Sequence, residues 1–227
     1  MSDTPIDVFI DLPSFPGPVQ AGRLWSHFRK GRESASFEYN KEWLANPHRF
    51  ALEPLLPLAD GTFHTNPGQS VFGAIGDSTP DRWGRILMRR AELARARTAN
   101  ESPHTLSELD YLLRVNDEAR QGALRFSQDG GQSFCAPPGS TPIPPLVNLS
   151  RLLHAADHFC RDDENAEDLR LLLAPGSSLG GARPKASVKD KKGNLCIAKF
   201  PRHDDEYNVV AWEAVALTLA SKAGLQV

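Results

Sequence analysis

Apolar and polar residues alternate from the start of the chain, with Ile6, Val8 and Ile10 on one parity of "IDVFI". Residues two apart share a face of a strand, so this period predicts a half-buried β-strand. "SFEY" at 36–39 repeats the pattern, and proline or glycine punctuates the gaps, so the first third reads as strand-rich. Beyond Ser78 the period changes. Ser78 and Thr79 supply a hydroxyl cap and Pro80 a first helical position. Trp83, Ile86, Leu87, Ala91 and Ala94 then recur at spacings that make one apolar helical face. The opposite face carries Arg82, Arg85, Arg89, Arg95 and Arg97, which predicts a solvated basic surface, an anion or acidic partner being the alternative. "TLSELDYLLRV" (105–115) predicts another helix, and "QGALRFSQDG" a strand that ends in a Gly-Gly turn.

Residues 136–148, "APPGSTPIPPLVN", hold five prolines and cannot run through a helix or a central strand. They mark the expected boundary, dividing a subdomain over 1–135 from a unit over 149–227. Two helices are expected near 149–161 and 164–173, the second opening with acidic residues that suit a positive helix N-terminus. "HAADHFC" places His154 and His158 four apart on one helical face. That spacing can bind zinc, but the metalloprotease pattern also needs a glutamate at a fixed position and a further ligand. A polar helix face is the expectation, and no metal ligands are assigned.

"PGSSLGGARPKASV" (175–188) raises the question of phosphate binding. A Walker A loop fails, because Ala182 stands where the lysine must follow Gly181. The G-x-G-x-x-G form fails too, with glycines at 176, 180 and 181. The surviving possibility is a set of backbone N–H groups at Gly180, Gly181 and Ala182 able to converge on an anion, with Lys185 supplying charge. A plain glycine turn after a helix is the competing reading. The residues downstream favour the anion. "ASVKD" and "LCIAKF", joined by "KKGN", predict a β-hairpin over 186–200. Period 2 puts Leu195, Ile197 and Lys199 on one face and Cys196, Ala198 and Phe200 on the other. A lysine among large apolar residues must snorkel or meet an anion. "EYNVVAWEAVALTLASKAGL" then predicts a helix with Trp212, Val215, Ala216 and Leu219 on its apolar face and Glu213 near its first turn. Glycine-rich loop, hairpin, strand lysine and helix glutamate is the order that opens a protein-kinase N-lobe.

Composition sets limits without changing that picture. Over 227 residues, 26 basic and 28 acidic side chains nearly cancel, so no broad polyanion-binding surface is indicated. Cys135, Cys160 and Cys196 are odd in number and unpatterned, which argues against a disulfide framework or structural zinc and for reduced thiols. No leader and no run of roughly 18 apolar residues is seen, so a cytoplasmic protein with no membrane partner is expected.

The segments "SSLGGARPKASV", "LCIAKFP" and "WEAVALTLASKAGL" resemble the HipA family of serine/threonine kinases, the toxins of bacterial type II toxin–antitoxin modules. "TPDRWGRILMRR" and "QGALRF" are similar to the N-terminal subdomain of that family, so the likeness covers nearly the whole chain. The resemblance implies an α+β fold: a β-rich N-terminal subdomain with helices over 1–135, a proline-rich linker over 136–148, and the start of a kinase-like N-lobe over 149–227. It implies ATP as cofactor, with Mg²⁺ held by ligands outside this chain. Ser178 matches the autophosphorylated serine of such kinases, with Ser177 as a second acceptor that the resemblance does not favour. Gly180, Gly181, Ala182 and Lys185 match the nucleotide-binding loop, Lys199 the lysine that contacts ATP, and Glu213 the glutamate of the following helix. Implied partners are a small helix-turn-helix (HipB-like) antitoxin, DNA only through that antitoxin, and a protein substrate such as an aminoacyl-tRNA synthetase. The catalytic aspartate and Mg²⁺ ligands of a C-lobe are missing, and His203-x-Asp205 lies straight after the strand lysine with no asparagine five residues on. The expectation is therefore an N-terminal portion, inactive alone. The alternative is a non-catalytic module that docks an antitoxin or a separate kinase C-lobe.

Overall fold

A computed structural model describes residues 5–135, 143–176 and 181–227, without the side chains of 174–176. Five strands, β1 (Ile6–Ile10), β2 (Val19–Arg29), β3 (Arg32–Tyr39), β4 (Thr62–His64) and β5 (Leu124–Ser127), form one antiparallel sheet in the order β4-β3-β2-β1-β5. The predicted parity holds: Ile6, Val8 and Ile10 are buried together with Leu24, Phe37 and Phe126. The β2–β3 hairpin turns through Lys30 and Gly31, both at positive φ (49° and 75°), the two-residue geometry whose twist matches that of paired strands. Short helices α1 (Lys41–Ala45) and α2 (Gly73–Gly76) add Trp43 and Ile75 to this first core.

The long helix α3 (Arg82–Ala99) starts later than the sequence suggests. Ser78 and Thr79 are drawn into the turn that closes α2, their amides donating to Ile75 C=O and Gly76 C=O. Asp81 takes the N-cap position instead. The basic face also differs from the expected solvated stripe. Arg82, Arg89 and Arg97 are exposed, but Arg85 is clamped by Glu108 at 2.6 and 2.7 Å and lies over the Tyr111 ring. Arg95 is held by Glu92 and Glu101. The reason is that α3 is buried on two sides, Trp83 and Leu87 entering one cluster and Met88 another with Tyr111 and Val115. Helix α4 (Glu108–Leu113) has a Ser107/Asp110 capping box, and its first amides also donate to Glu33 of β3 at 2.8 and 3.1 Å.

A second core gathers α3, α5 (Leu149–Cys160), α6 (Ala166–Gly176) and a hairpin of β6 (Lys185–Lys189) and β7 (Leu195–Lys199). Leu152, Phe159, Leu172, Ala186, Val188 and Phe200 fill it. Thus Trp83 and Leu87, from the N-terminal side of the proline-rich stretch, pack into a core otherwise built from beyond it. The end of that stretch runs beside β6, with Lys189 N–H donating to Pro144 C=O at 2.9 Å and Lys189 paired with Glu118. The last helix, α7 (Val209–Lys222), forms as expected, but its apolar face is not covered. Trp212, Val215 and Leu219 are exposed, as are Leu195 and Ile197 of β7. An apolar stripe at helical spacing therefore reported the helix correctly but not a partner among the described residues.

Candidate functional site

The β6–β7 register sets Lys185 directly opposite Lys199. Both side chains fall on the hairpin face away from the second core, whose inward positions are Ala186, Val188 and Phe200. Two ammonium groups side by side repel, and the fold answers with carboxylates. Lys199 forms an ion pair with Glu213 on the first turns of α7, on a face where Leu195 and Ile197 are exposed rather than buried as the sequence pattern predicts. Asp205 of the intervening loop pairs with Arg183 and accepts the Arg202 N–H at 2.9 Å, and the Arg183 contact holds its carboxyl below the ordinary range. The aspartate of His203-x-Asp205 is thus a tie within the loop.

Lys185 is more enclosed, at 9% exposure. Burial lowers its pKa, the neighbouring Lys199 lowers it further, and Asp81 and Glu213 act in the opposite sense. Gly181 adopts φ +81°, which favours glycine, and a Cβ there would sit 2.9 Å from the ammonium nitrogen at the end of the flexible Lys185 side chain. Ala182 is an exposed bend. Ser177, Ser178 and Gly180 lie outside the described residues.

Two residues that sequence reasoning did not assign meet the site from the start of α3. The Gly181 N–H donates to the Asp81 carboxylate at 2.7 Å, and Gly181 C=O accepts the Trp83 N–H at 3.1 Å. The buried Trp83 indole N–H donates to Lys185 C=O at 2.9 Å. No local signal announces these bonds, because the partners stand about a hundred positions apart. The described site therefore joins Lys185, Lys199, Asp81 and Glu213, two cations balanced by two carboxylates.

A family model for the HipA N-terminal domain matches residues 17–127. That stretch of the chain is similar to a HipA N-terminal domain. No curated protein matches the chain. The matched stretch opens just before β2 and ends with β5, and it includes α3 with Asp81 and Trp83. The HipA-like stretch thus includes the start of α3, to which Gly181 and Lys185 are bonded.

The chemistry of the residues beside the HipA-like stretch is compatible with a phosphate group. Lys185 and Lys199 set two ammonium groups on one face, and the Gly181 amide, bonded here to Asp81, lies at the same end of the hairpin. The fit to Mg²⁺ is different. Among the described residues, no group of three His, Cys, Asp or Glu side chains is placed to hold a metal ion. His158, the nearest approach to a ligand in the sequence pattern, hydrogen-bonds Asp168 at 3.0 Å, which raises its pKa. The three cysteines are unpaired, and burial pushes the Cys135 thiol up to about 11, so it stays protonated. Among the described residues, no helix is long and apolar enough to cross a membrane.

Proposed function

We propose that this chain is the N-terminal part of a HipA-like, ATP-dependent serine/threonine kinase, the toxin of a toxin–antitoxin module. The observation that carries the reading is the Lys199–Glu213 pair, set beside Gly181 and Lys185 on a hairpin that follows a stretch similar to a HipA N-terminal domain. A strand lysine oriented by a helix carboxylate is the device with which protein kinases hold the α- and β-phosphates of ATP. In this reading Lys199 and Lys185 bind the phosphates, Glu213 orients Lys199, and Gly180, Gly181 and Ala182 present backbone amides. Mg²⁺, when bound, would neutralise phosphate charge. Ser178 is the regulatory phosphoacceptor, since a dianionic phosphate there would compete with ATP for the same amides. The partners are a helix-turn-helix antitoxin and a protein substrate such as an aminoacyl-tRNA synthetase, in the cytoplasm.

The test is phosphopeptide mapping of the full-length kinase after incubation with Mg²⁺-ATP, with and without Lys199→Met. Phosphate at Ser178 that disappears in Lys199→Met is expected; equal labelling of both proteins would sink the reading. The uncovered faces of α7 and β7 support a second reading, a docking module for an antitoxin or a separate kinase lobe. Pull-down of a co-expressed antitoxin that is abolished by Trp212→Asp, with no phosphate transfer by any full-length form, would favour it.

A further inference from the structure

Asp81 stands at the N-cap of α3, where an aspartate ordinarily accepts an amide of its own first turn. Its side chain makes no such bond. It reaches instead to the Gly181 N–H at 2.7 Å, across a sequence separation of 100. A local preference has been given up for a distant amide, and that amide is one that the nucleotide reading requires for phosphate. A carboxylate oxygen and a phosphoryl oxygen make the same kind of charge-assisted bond to a backbone N–H. Gly181 has a single N–H, and a phosphate brought to it would lie against the Asp81 carboxylate, where two negative charges repel.

We propose that Asp81 is an internal anion that fills the Gly181 amide in the ligand-free chain and must be displaced before a nucleotide phosphate takes that amide. The inference rests on the nucleotide reading above and names its regulation. Displacement leaves the frame intact, because Trp83 holds Gly181 C=O and Lys185 C=O through its own two N–H groups. The departing carboxylate also has a destination. The first turn of α3 has no side-chain cap, and Asp81 lines a cavity of about 740 Å³ together with Arg82, Arg85 and Arg89. Arg82 and Arg89 are exposed and form no ion pair among the described residues, so a carboxylate turned that way meets positive charge. The device sets a threshold: weak or singly charged anions lose to Asp81, and a polyphosphate prevails.

The test titrates Mg²⁺-ATP into the 227-residue chain and follows the Gly181 amide by NMR in wild type, Asp81→Asn, Asp81→Ala and Lys199→Met. Asp81→Asn keeps an acceptor oxygen for Gly181 and removes only the charge, so it reports even where Asp81→Ala fails to fold. The expected result is binding about fivefold tighter in Asp81→Asn, with the gain shrinking as salt rises. The Gly181 amide resonance should move on mutation of Asp81 and, in wild type, on adding ATP. Equal or weaker binding in both Asp81 variants, with binding lost in Lys199→Met, would overturn the competing-anion role and leave the nucleotide reading standing. No saturable binding in any of the four would overturn both.

Discussion

Lys199 and Glu213 are each about two-fifths exposed, at 44% and 38%, and this decides what their pair does for the molecule. An ion pair open to water contributes under about 1 kcal/mol, so the pair is poorly explained as a stabilising device. Lys199→Met keeps the apolar stem and should change the unfolding free energy in urea by less than about 1 kcal/mol while abolishing ATP binding; unchanged affinity would remove Lys199 from the site. A different outcome is expected at His158, whose pKa Asp168 raises. The protonated pair contributes fully below the ordinary value of 6.5 and is lost as pH rises through the higher folded value. The melting-temperature gap between wild type and His158→Gln should therefore be widest in mild acid and narrow above neutrality. A gap that widens with pH would contradict the pairing. At this scale the strand position of Lys199 was legible from its alternation with Leu195 and Ile197, but the burial of that face was not, since both apolar neighbours are exposed. Asp81 was not legible. Its own neighbourhood specifies a helix cap, and its actual partner is fixed only by how α3 docks on the hairpin.

Elements were legible in kind wherever one period ruled, and less so where two demands met on one helix. Strands β1, β3 and β5, the hairpin over 185–199 and the helices α5 to α7 follow from periods of 2 and 3.6, whereas the sequence pattern assigns neither β2 nor β4. Helix α3 does not reduce to one apolar face. Its second buried side includes Glu92, at 3% exposure, a residue type seldom fully buried unless paired. Glu92 is tolerated because Arg95, Arg114 and the His104 N–H all donate to it. Those bonds, led by Arg95, hold its carboxyl down to about 2 from 4.5. Glu92→Gln should cost about 2 kcal/mol, the scale of a hydrogen bond to a charged group. Because the folded value is depressed, the contribution is complete above pH 4.5 and drains away as pH falls toward 2. Denaturant melts of wild type and Glu92→Gln should differ by a constant amount at neutral pH and converge in strong acid. A gap that persists unchanged in strong acid would mean that packing, not charge, carries the effect.

At the scale of the molecule, the predicted boundary in the proline-rich stretch captures composition, while packing distributes α3 across it. Proline content reports where the backbone cannot be regular, but nothing in it reports that Trp83 and Leu87 belong to a core completed by Leu152, Phe159 and Val188. Trp83 is the main link. Its ring meets Phe159 edge-on at 5.1 Å, its indole N–H donates to Lys185 C=O, and its amide donates to Gly181 C=O. Trp83→Ala removes all but the amide contact and opens a cavity, a change that costs about 3–5 kcal/mol. The loss should fall unevenly. The five-stranded sheet has its own core around Ile6, Val8, Phe37 and Trp43, a cluster separate from the one that holds Trp83. Hydrogen exchange of Trp83→Ala should therefore show faster opening of α5, α6 and β6 with the amides of β1–β3 still protected. Trp83→Phe, which keeps a ring against Phe159 and loses the indole donor, should open the same region by about 1 kcal/mol. Equal loss of protection in both regions would mean that α3 welds the two cores into one cooperative unit, and that the seat of the glycine-rich segment is as stable as the sheet itself.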